Sequence, residues 1–204
     1  MINTIIFDFG NVFINLDIEG SKKQAHKTLC IEAISLEMDK YNSLYEQGLI
    51  STHTFLDFYC NKFQRLSRQQ LVDLWNYMLK DFPKYRLDFL KKLKAIAKYK
   101  LLLLSNTNEL HIDWIKENVS FYEDFKNCFD AFYLSHEIHL IKPNQDIFEF
   151  VLKENNLNPE ECLFIDDNQD NIKSAHALNL KTWHINPNTE DVVNLFKIKA
   201  HLFE

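Results

Sequence analysis

Four groups of polar residues in this sequence stand beside the ends of short apolar runs, where they could act together. They are Asp8, Ser105 with Asn106, Lys142, and Asp166 with Asp167. Three carboxylates brought together would repel one another and raise each other's pKa unless a cation lay among them. Carboxylate oxygens are ligands that suit Mg²⁺. With an ammonium and a hydroxyl added, the set predicts a site for a phosphoryl group, which Asp8 is placed to attack.

Each of these residues also has an ordinary structural explanation when it is taken alone. Asp8 could form a turn, and Asp166 and Asp167 with Asn168 could cap the helix that follows them. Ser105 could cap the next helix, and Lys142 could be a solvated loop lysine. The combination favours the chemical interpretation, because each group stands beside its own apolar run.

The apolar runs themselves predict the fold. They are TIIFDF (4–9), KLLLLSN (100–106), AFYLS (131–135), CLFID (162–166) and KTWHI (181–185). Because they are mostly apolar along their length and do not alternate, these strands should be covered on both faces, as in a parallel sheet with helices on either side. Strands that alternate with helices indicate a doubly wound α/β fold. Its parallel strands would bring the polar groups to one edge of the sheet.

One long interval lacks any strand pattern and predicts a helical cap. Residues 16–84 form this insertion after the first strand, and residues 1–15 and 85–204 form the α/β core. Ser67 and Gln70 form a capping box before one cap helix. In the core, Asn158 with Pro159 predicts a helix start, and Pro143 predicts another. Such a cap would lie over the strand ends, where open α/β sheets bind ligands.

Composition excludes several classes of protein. The chain has 204 residues, 46% of them hydrophobic, and a formal net charge of -6, so we expect no nucleic-acid partner. Its four cysteines lack the close pairs of a zinc site or a disulfide framework. The longest purely apolar run is Leu101–Leu104, far too short to cross a bilayer. We therefore expect a soluble, cytoplasmic protein without a membrane partner; the sequence leaves the oligomeric state open.

The motifs together resemble those of the haloacid dehalogenase (HAD) superfamily of hydrolases. FDFGNVF, LLLLSNTN, IKPNQDIF and FIDDNQDN are similar to its four motifs, and the resemblance extends from Ile5 to about Ile185. The helical insertion is similar to the first cap type of that superfamily. FDFGNV, LSNTNELH and FIDDNQDNI most resemble the bacterial α-D-glucose-1-phosphate phosphatases. The resemblance implies a Rossmann-like core with a small helical cap.

It also implies a role for each motif residue, with Mg²⁺ as cofactor and a small phosphorylated metabolite as substrate. Asp8 would be the nucleophile, and Lys142 would neutralise charge on Asp8 and on the phosphoryl group. The implied metal ligands are Asp8, the carbonyl of Gly10, Asp166 and Asp167. The implied substrate-binding residues are Gly10, Asn11, Ser105, Asn106 and Lys142.

Gly10 departs from the usual pattern, since related phosphatases carry a second aspartate there as the general acid and base. Its loss leaves three hypotheses. The protein could be a phosphatase of an ester with a good leaving group, such as glucose 1-phosphate, with Asp17 as a weak candidate for the base. It could be a catalytically weak binding module. It could be a 2-haloacid dehalogenase, a branch that also lacks this aspartate, although the acidic pair Asp166 and Asp167 counts against that alternative.

Overall fold

The computed structural model describes all 204 residues, and its five strands form one sheet. The strands are β1 (Thr4–Phe7), β2 (Lys100–Ser105), β3 (Ala131–Leu134), β4 (Cys162–Asp166) and β5 (Lys181–His184). All are parallel, in the order β3-β2-β1-β4-β5, so the predicted doubly wound sheet is confirmed. β1 is shorter than predicted, because Asp8 and Phe9 already belong to the turn that leads towards the cap.

The sheet is buried on both faces, which explains the unbroken apolar runs. Ile5 and Phe7 belong to a cluster of 28 buried residues on one face. Ile6 lies between them in sequence but belongs to a separate cluster of 11 residues on the other face. Successive side chains of a strand point to opposite faces, so a strand covered on both sides needs apolar residues at every position.

Four helices follow β1 and form the region predicted as a cap. The helices are α1 (Ile18–Leu29), α2 (Leu36–Glu46), α3 (Thr52–Lys62) and α4 (Arg68–Asn76). They pack around a third apolar cluster of seven buried residues that includes Phe55. The segments that precede and follow these four helices pair through an antiparallel bridge between Leu16 and Leu79. The bounds of the cap at 16–84, and of the core at 1–15 and 85–204, stay a prediction.

The remaining helices cover the sheet. They are α5 (Lys84–Ile96), α6 (Glu109–Asn118), α7 (Tyr122–Lys126), α8 (Ser135–Ile138), α9 (Gln145–Glu154), α10 (Gln169–Ala177) and α11 (Leu195–Ile198), with 3-10 turns at Pro159–Glu161, Val192–Asn194 and Ala200–Leu202. None of the helices combines the length and the hydropathy that a membrane span requires.

The helix-start predictions hold to different degrees. The capping box is present, since the side chains of Ser67 and Gln70 each bond to the backbone of the other residue. Asn158 caps as predicted, but what it caps is a single 3-10 turn. The start predicted at Pro143 is wrong: α9 begins at Gln145, because Asn144 keeps an extended backbone with ψ of 141°.

Candidate active site

Lys142 lies at the centre of the polar groups on the carboxyl edge of the sheet. Its Nζ atom donates hydrogen bonds to Asp8 Oδ1 at 2.8 Å, to Asp166 Oδ2 at 2.7 Å and to the carbonyl oxygen of Leu104 at 2.8 Å. The Lys142 side chain is only 1% exposed. An ammonium has three protons, and all three are engaged within the protein. Lys142 therefore acts here through its charge and its position.

The register of the central strands brings the two carboxylates to this lysine. Phe7 of β1 pairs with Ile165 of β4, so the residues that follow them, Asp8 and Asp166, leave the sheet side by side. The Asp8 amide donates to the Ile165 carbonyl at 2.9 Å and extends the pairing by one more bond. Residues 158 positions apart in the sequence thus share one crevice, as the topology predicts.

Burial and repulsion between carboxylates make Asp8 and Asp167 difficult to ionise. Burial raises the pKa of Asp8 to about 7; Asp166 and Asp167 add to this effect, and Lys142 opposes it. Burial also raises the pKa of Asp167, against the hydrogen bond that Asn11 donates to it. For Lys142, burial favours the neutral amine, but attraction to Asp166 and Asp8 outweighs it and raises its pKa. The cluster is therefore short of positive charge.

Asp166 is held by groups that follow it in the sequence. The side-chain amide of Asn171 donates to both Asp166 oxygens, at 3.1 and 3.0 Å, and the Asn168 amide donates to Oδ1 at 2.7 Å. Asn168 itself is the N-cap of α10. The simple explanation that Asp166 and Asp167 are there to cap this helix is thus wrong.

Two asparagines from the expected substrate-binding set have engaged side chains. Asn11 donates to Asp167 Oδ2 at 2.8 Å and accepts from the Leu16 amide at 3.0 Å. Asn106 clamps the backbone of Lys142: it donates to the Lys142 carbonyl at 2.8 Å and accepts from its amide at 3.0 Å. These side chains position the acidic cluster and the lysine; the substrate-binding roles expected for Asn11 and Asn106 stay a prediction.

The oxygen ligands needed for a divalent cation are present. Carboxylate oxygens of Asp8, Asp166 and Asp167 all lie within 4.8 Å of one another. The carbonyl of Gly10, on the turn after β1, accepts no backbone hydrogen bond. Oxygen ligands with surplus negative charge are what Mg²⁺ requires, so the residues fit the expected metal.

One oxygen of Asp8 and several donors on the neighbouring strand ends have no hydrogen-bond partner within the protein. Lys142 binds Oδ1, whereas Oδ2 accepts no hydrogen bond and lies 3.9 Å from the position that a Cβ on residue 10 would take. The backbone amides of Gly10 and Asn106 donate no hydrogen bond within the protein. The buried Ser105 hydroxyl has only a 3.5 Å contact, to the Asn106 carbonyl. Donors of this kind can hold the oxygens of a phosphoryl group.

The donors on Gly10, Ser105 and Asn106 line a pocket between the sheet edge and the region predicted as a cap. The pocket has a volume of about 90 Å³. From the core it is lined by Phe9, Gly10, Ile14, Ser105, Asn106, Thr107, His111 and Ile115, and from the cap region by Leu16, Glu46, Met78 and Leu79. Glu46, Met78 and His111 also line a largely apolar cavity of about 180 Å³, whose other lining residues belong to the region predicted as a cap. We call the first space the catalytic pocket and the second the cap cavity.

Sequence reasoning missed several of these groups. Asn171 is part of the motif FIDDNQDN, so its nearness to Asp166 was a usable signal. Glu46 lies at the end of a helix, away from any strand end and outside the four motifs, so nothing in the sequence marks it as a site residue. Asp17, the weak candidate for the base, caps α1 by accepting from the Gly20 amide at 2.8 Å and lines neither cavity.

This fold and site belong to a known class of hydrolase. A model of the haloacid dehalogenase-like hydrolase family matches residues 2–179, and the chain is a member of that family. The resemblance seen in the motifs is thereby confirmed.

Particular relatives refine the comparison. The chain is similar to D-ribitol-5-phosphate phosphatase of Bacteroides thetaiotaomicron, with 29% identity over 193 residues, 90% of this chain and 91% of that protein. A crystal structure of a HAD family enzyme from that species, an aspartate-to-alanine variant in complex with magnesium and inorganic phosphate, has a TM-score of 0.84 and 33% identity; the match covers 96% of this chain and 99% of that one.

A second solved structure has the same overall arrangement. It is a predicted HAD-like family hydrolase from Porphyromonas gingivalis, with a TM-score of 0.82 and 28% identity, over 100% of this chain and 99% of that one. The expected magnesium site agrees with the acidic cluster here and with the magnesium in the Bacteroides crystal. The narrower resemblance to α-D-glucose-1-phosphate phosphatases remains an expectation.

Proposed function

We propose that this protein is a Mg²⁺-dependent phosphatase that hydrolyses a small sugar phosphate or sugar-alcohol phosphate through a phosphoaspartate on Asp8. One observation carries the proposal: the Lys142 ammonium binds Asp8 Oδ1 and Asp166 Oδ2, and Asp8 Oδ2 keeps no hydrogen-bond partner within the protein. Membership of the hydrolase family supports the reaction class. The charged groups support a phosphoryl centre as the point of attack.

Each group has a role in the proposed reaction. Asp8 Oδ2 attacks phosphorus, and the bond from phosphorus to the ester oxygen breaks. Lys142 offsets the negative charge of Asp8 as it approaches the phosphoryl group. The Ser105 hydroxyl and the amides of Gly10 and Asn106 hold the phosphoryl oxygens. Water then attacks phosphorus and releases inorganic phosphate and the Asp8 carboxylate.

A bound Mg²⁺ would supply the positive charge that the cluster is short of. Asp8, the Gly10 carbonyl, Asp166 and Asp167 would hold Mg²⁺, which offsets charge on the phosphoryl oxygens. Asn11 and Asn171 support this role indirectly, because each fixes one of the acidic side chains.

The size of the site and a relative support the class of substrate. The catalytic pocket of about 90 Å³ and the cap cavity of about 180 Å³ suit a small metabolite. The similar Bacteroides protein is a phosphatase of D-ribitol 5-phosphate, a sugar-alcohol phosphate. Glucose 1-phosphate is the second substrate to test, since its anomeric oxygen leaves more readily than an ordinary alkoxide.

The nucleophile is tested with Asp8→Asn. We expect the variant to lose Mg²⁺-dependent phosphate release from both esters by about 10⁴-fold or more, because the phosphoaspartate cannot form. Asp113→Asn is the matched control, since the Asp113 side chain is 59% exposed. Retained activity in Asp8→Asn would contradict the mechanism.

Gly10 gives a specific reason to test a binding function as the alternative. With no acid at residue 10, the same site could hold a phosphorylated ligand with little turnover. The wild type would then release no phosphate from a panel of esters, yet Mg²⁺ with inorganic phosphate would raise its melting temperature. Chloride release from 2-chloropropionate without metal would instead favour the dehalogenase, which needs no metal.

A further inference from the structure

Glu46, the last residue of α2, is the one acidic side chain that lines the catalytic pocket from the cap. It also lines the cap cavity, and neither space has a second acidic residue in its wall. Gly10 and Asn106, whose amides would hold the phosphoryl oxygens, line the same pocket. A bound phosphate ester would therefore share this pocket with the Glu46 side chain.

The Glu46 carboxyl is free to exchange a proton. It accepts no hydrogen bond and forms no ion pair, and burial alone raises its pKa to about 7. Its place at the carboxyl end of a helix acts in the same direction, because the helix dipole disfavours an anion there. The other titratable groups of the cap cavity wall are Lys22, His26, Tyr59 and His111, and Lys22 pairs with Glu19 at 2.9 Å. A carboxyl with a pKa near neutrality suits proton transfer.

The backbone of Glu46 is fixed to the phosphate-binding side of the core. The Ser135 hydroxyl donates to the Glu46 carbonyl at 2.6 Å and accepts from the Thr107 amide at 2.9 Å. Thr107 directly follows Ser105 and Asn106. In the adjoining turn, a Cβ on Gly48 would lie 2.0 Å from the His136 carbonyl oxygen, so only glycine permits this close approach of cap and core.

The other candidate groups near the pocket cannot serve as the acid. His111 lines both spaces, but its Nε2 bonds to the Trp75 carbonyl and its Nδ1 to the Asn108 side chain, each at 3.1 Å. Burial lowers the pKa of His111 to about 4, so the ring is neutral and engaged at both nitrogens. Gly10 has no side chain, and a Cβ there would lie 2.7 Å from Leu16 Cδ1.

We propose that Glu46 is a catalytic residue of the phosphatase, the general acid of the first step and the general base of the second. The inference rests on the proposed function. As the bond from phosphorus to the ester oxygen breaks, the Glu46 carboxyl gives its proton to that oxygen, which leaves as an alcohol. The Glu46 carboxylate then takes a proton from the water that attacks the phosphoaspartate. Each turnover returns Glu46 to its protonated form.

The test compares two esters in Glu46→Gln under rapid mixing with Mg²⁺. D-ribitol 5-phosphate has a poor leaving group that needs a proton, whereas p-nitrophenyl phosphate releases a stable anion that does not. On the ribitol ester we expect phosphoryl transfer to slow by about 10² to 10⁴-fold. On the nitrophenyl ester, the variant should keep a burst of one nitrophenolate per site at close to the wild-type rate, followed by slow turnover.

Glu32→Gln, a change of an exposed glutamate in the same cap, should match the wild type on both esters. An equal loss of the first phase on both esters would mean that Glu46 only supports the fold, and no loss on either would remove it from the reaction; both results overturn the inference while the proposed function stands. A wild type that releases no phosphate from either ester overturns the proposed function, and the acid role with it.

Discussion

The buried carboxyl groups of the core and the buried carboxyl group of the cap differ in whether they have partners. On the core side, Lys142 binds Asp8 and Asp166, and Asn171 holds Asp166 in turn. On the cap side, Glu46 stands among mostly apolar residues with no partner for its carboxyl. Paired charges keep a fixed geometry, whereas an unpaired carboxyl with a raised pKa can gain and lose a proton. Lys142, Asp8 and Asp166 therefore keep a fixed arrangement, whereas Glu46 is suited to exchange protons.

Removing the cation from the core side should have the largest effect. Lys142→Met leaves Asp8 and Asp166 buried without their shared partner, so we expect a loss of about 3–5 kcal/mol in the free energy of unfolding at pH 8 with EDTA present. Urea denaturation measures this loss. The loss should shrink at pH 5, because protonation can then neutralise the unpaired carboxylates.

Lys173→Met is the matched control, since Lys173 pairs with Asp170 at the surface and both side chains are at least 66% exposed. That pair should contribute about 0–1 kcal/mol. If the two variants lost the same small amount of stability, Lys142 would not be needed to stabilise the buried carboxylates of Asp8 and Asp166.

Replacing the acidic residue of the cap should raise the free energy of unfolding at high pH, whereas Lys142→Met should lower it. The pKa of Glu46 is about 7 in the folded protein and about 4.3 in an unfolded chain. Between these values the folded state binds the extra proton, so the contribution of Glu46 to stability is present below pH 4.3 and is lost as the pH rises through 7. Relative to the wild type, Glu46→Gln should therefore gain about 3 kcal/mol between pH 4 and pH 8.

Urea denaturation across this pH range measures the gain as a difference between the two proteins. Glu32→Gln should stay within about 0.5 kcal/mol of the wild type at every pH, because its side chain is exposed. A pH-independent difference for Glu46→Gln would mean that the carboxyl titrates normally, and Glu46 would then be ionised at neutral pH and unable to act as the acid.

The core side was predictable from the sequence because topology alone places it. Strands buried on both faces show as unbroken apolar runs, and parallel strands bring their carboxyl ends to one edge. Asp8, Lys142 and Asp166 could thus be grouped from their positions after such runs. The details of their bonding could not, since nothing in the sequence shows that Asn106 turns its side chain to the Lys142 backbone.

The cap side could not be predicted, for a physical reason. Helical periodicity shows which face of α2 is buried, but it does not show which part of the core that helix meets. The position of Glu46 depends on its contact with Ser135, 89 residues further along the chain. Contacts of this kind depend on how the helices after β1 pack against the sheet region. Glu46, which we propose as the acid in place of a side chain at Gly10, therefore lies outside the motifs.

The smallest expected effect concerns this contact between the two sides. Ser135 is fully buried, and Ser135→Ala removes the acceptor of the Thr107 amide and a donor to the Glu46 carbonyl. Leaving these backbone groups unpaired should lower the free energy of unfolding by about 1–2 kcal/mol, while Ser120→Ala, an exposed serine, should change it by less than about 0.5 kcal/mol. Amide hydrogen exchange gives the local measure, because the Thr107 amide should exchange faster in Ser135→Ala. Unchanged protection of Thr107 would show that this contact does not hold the cap against the core, and Glu46 would then need another constraint to keep its place beside the leaving oxygen.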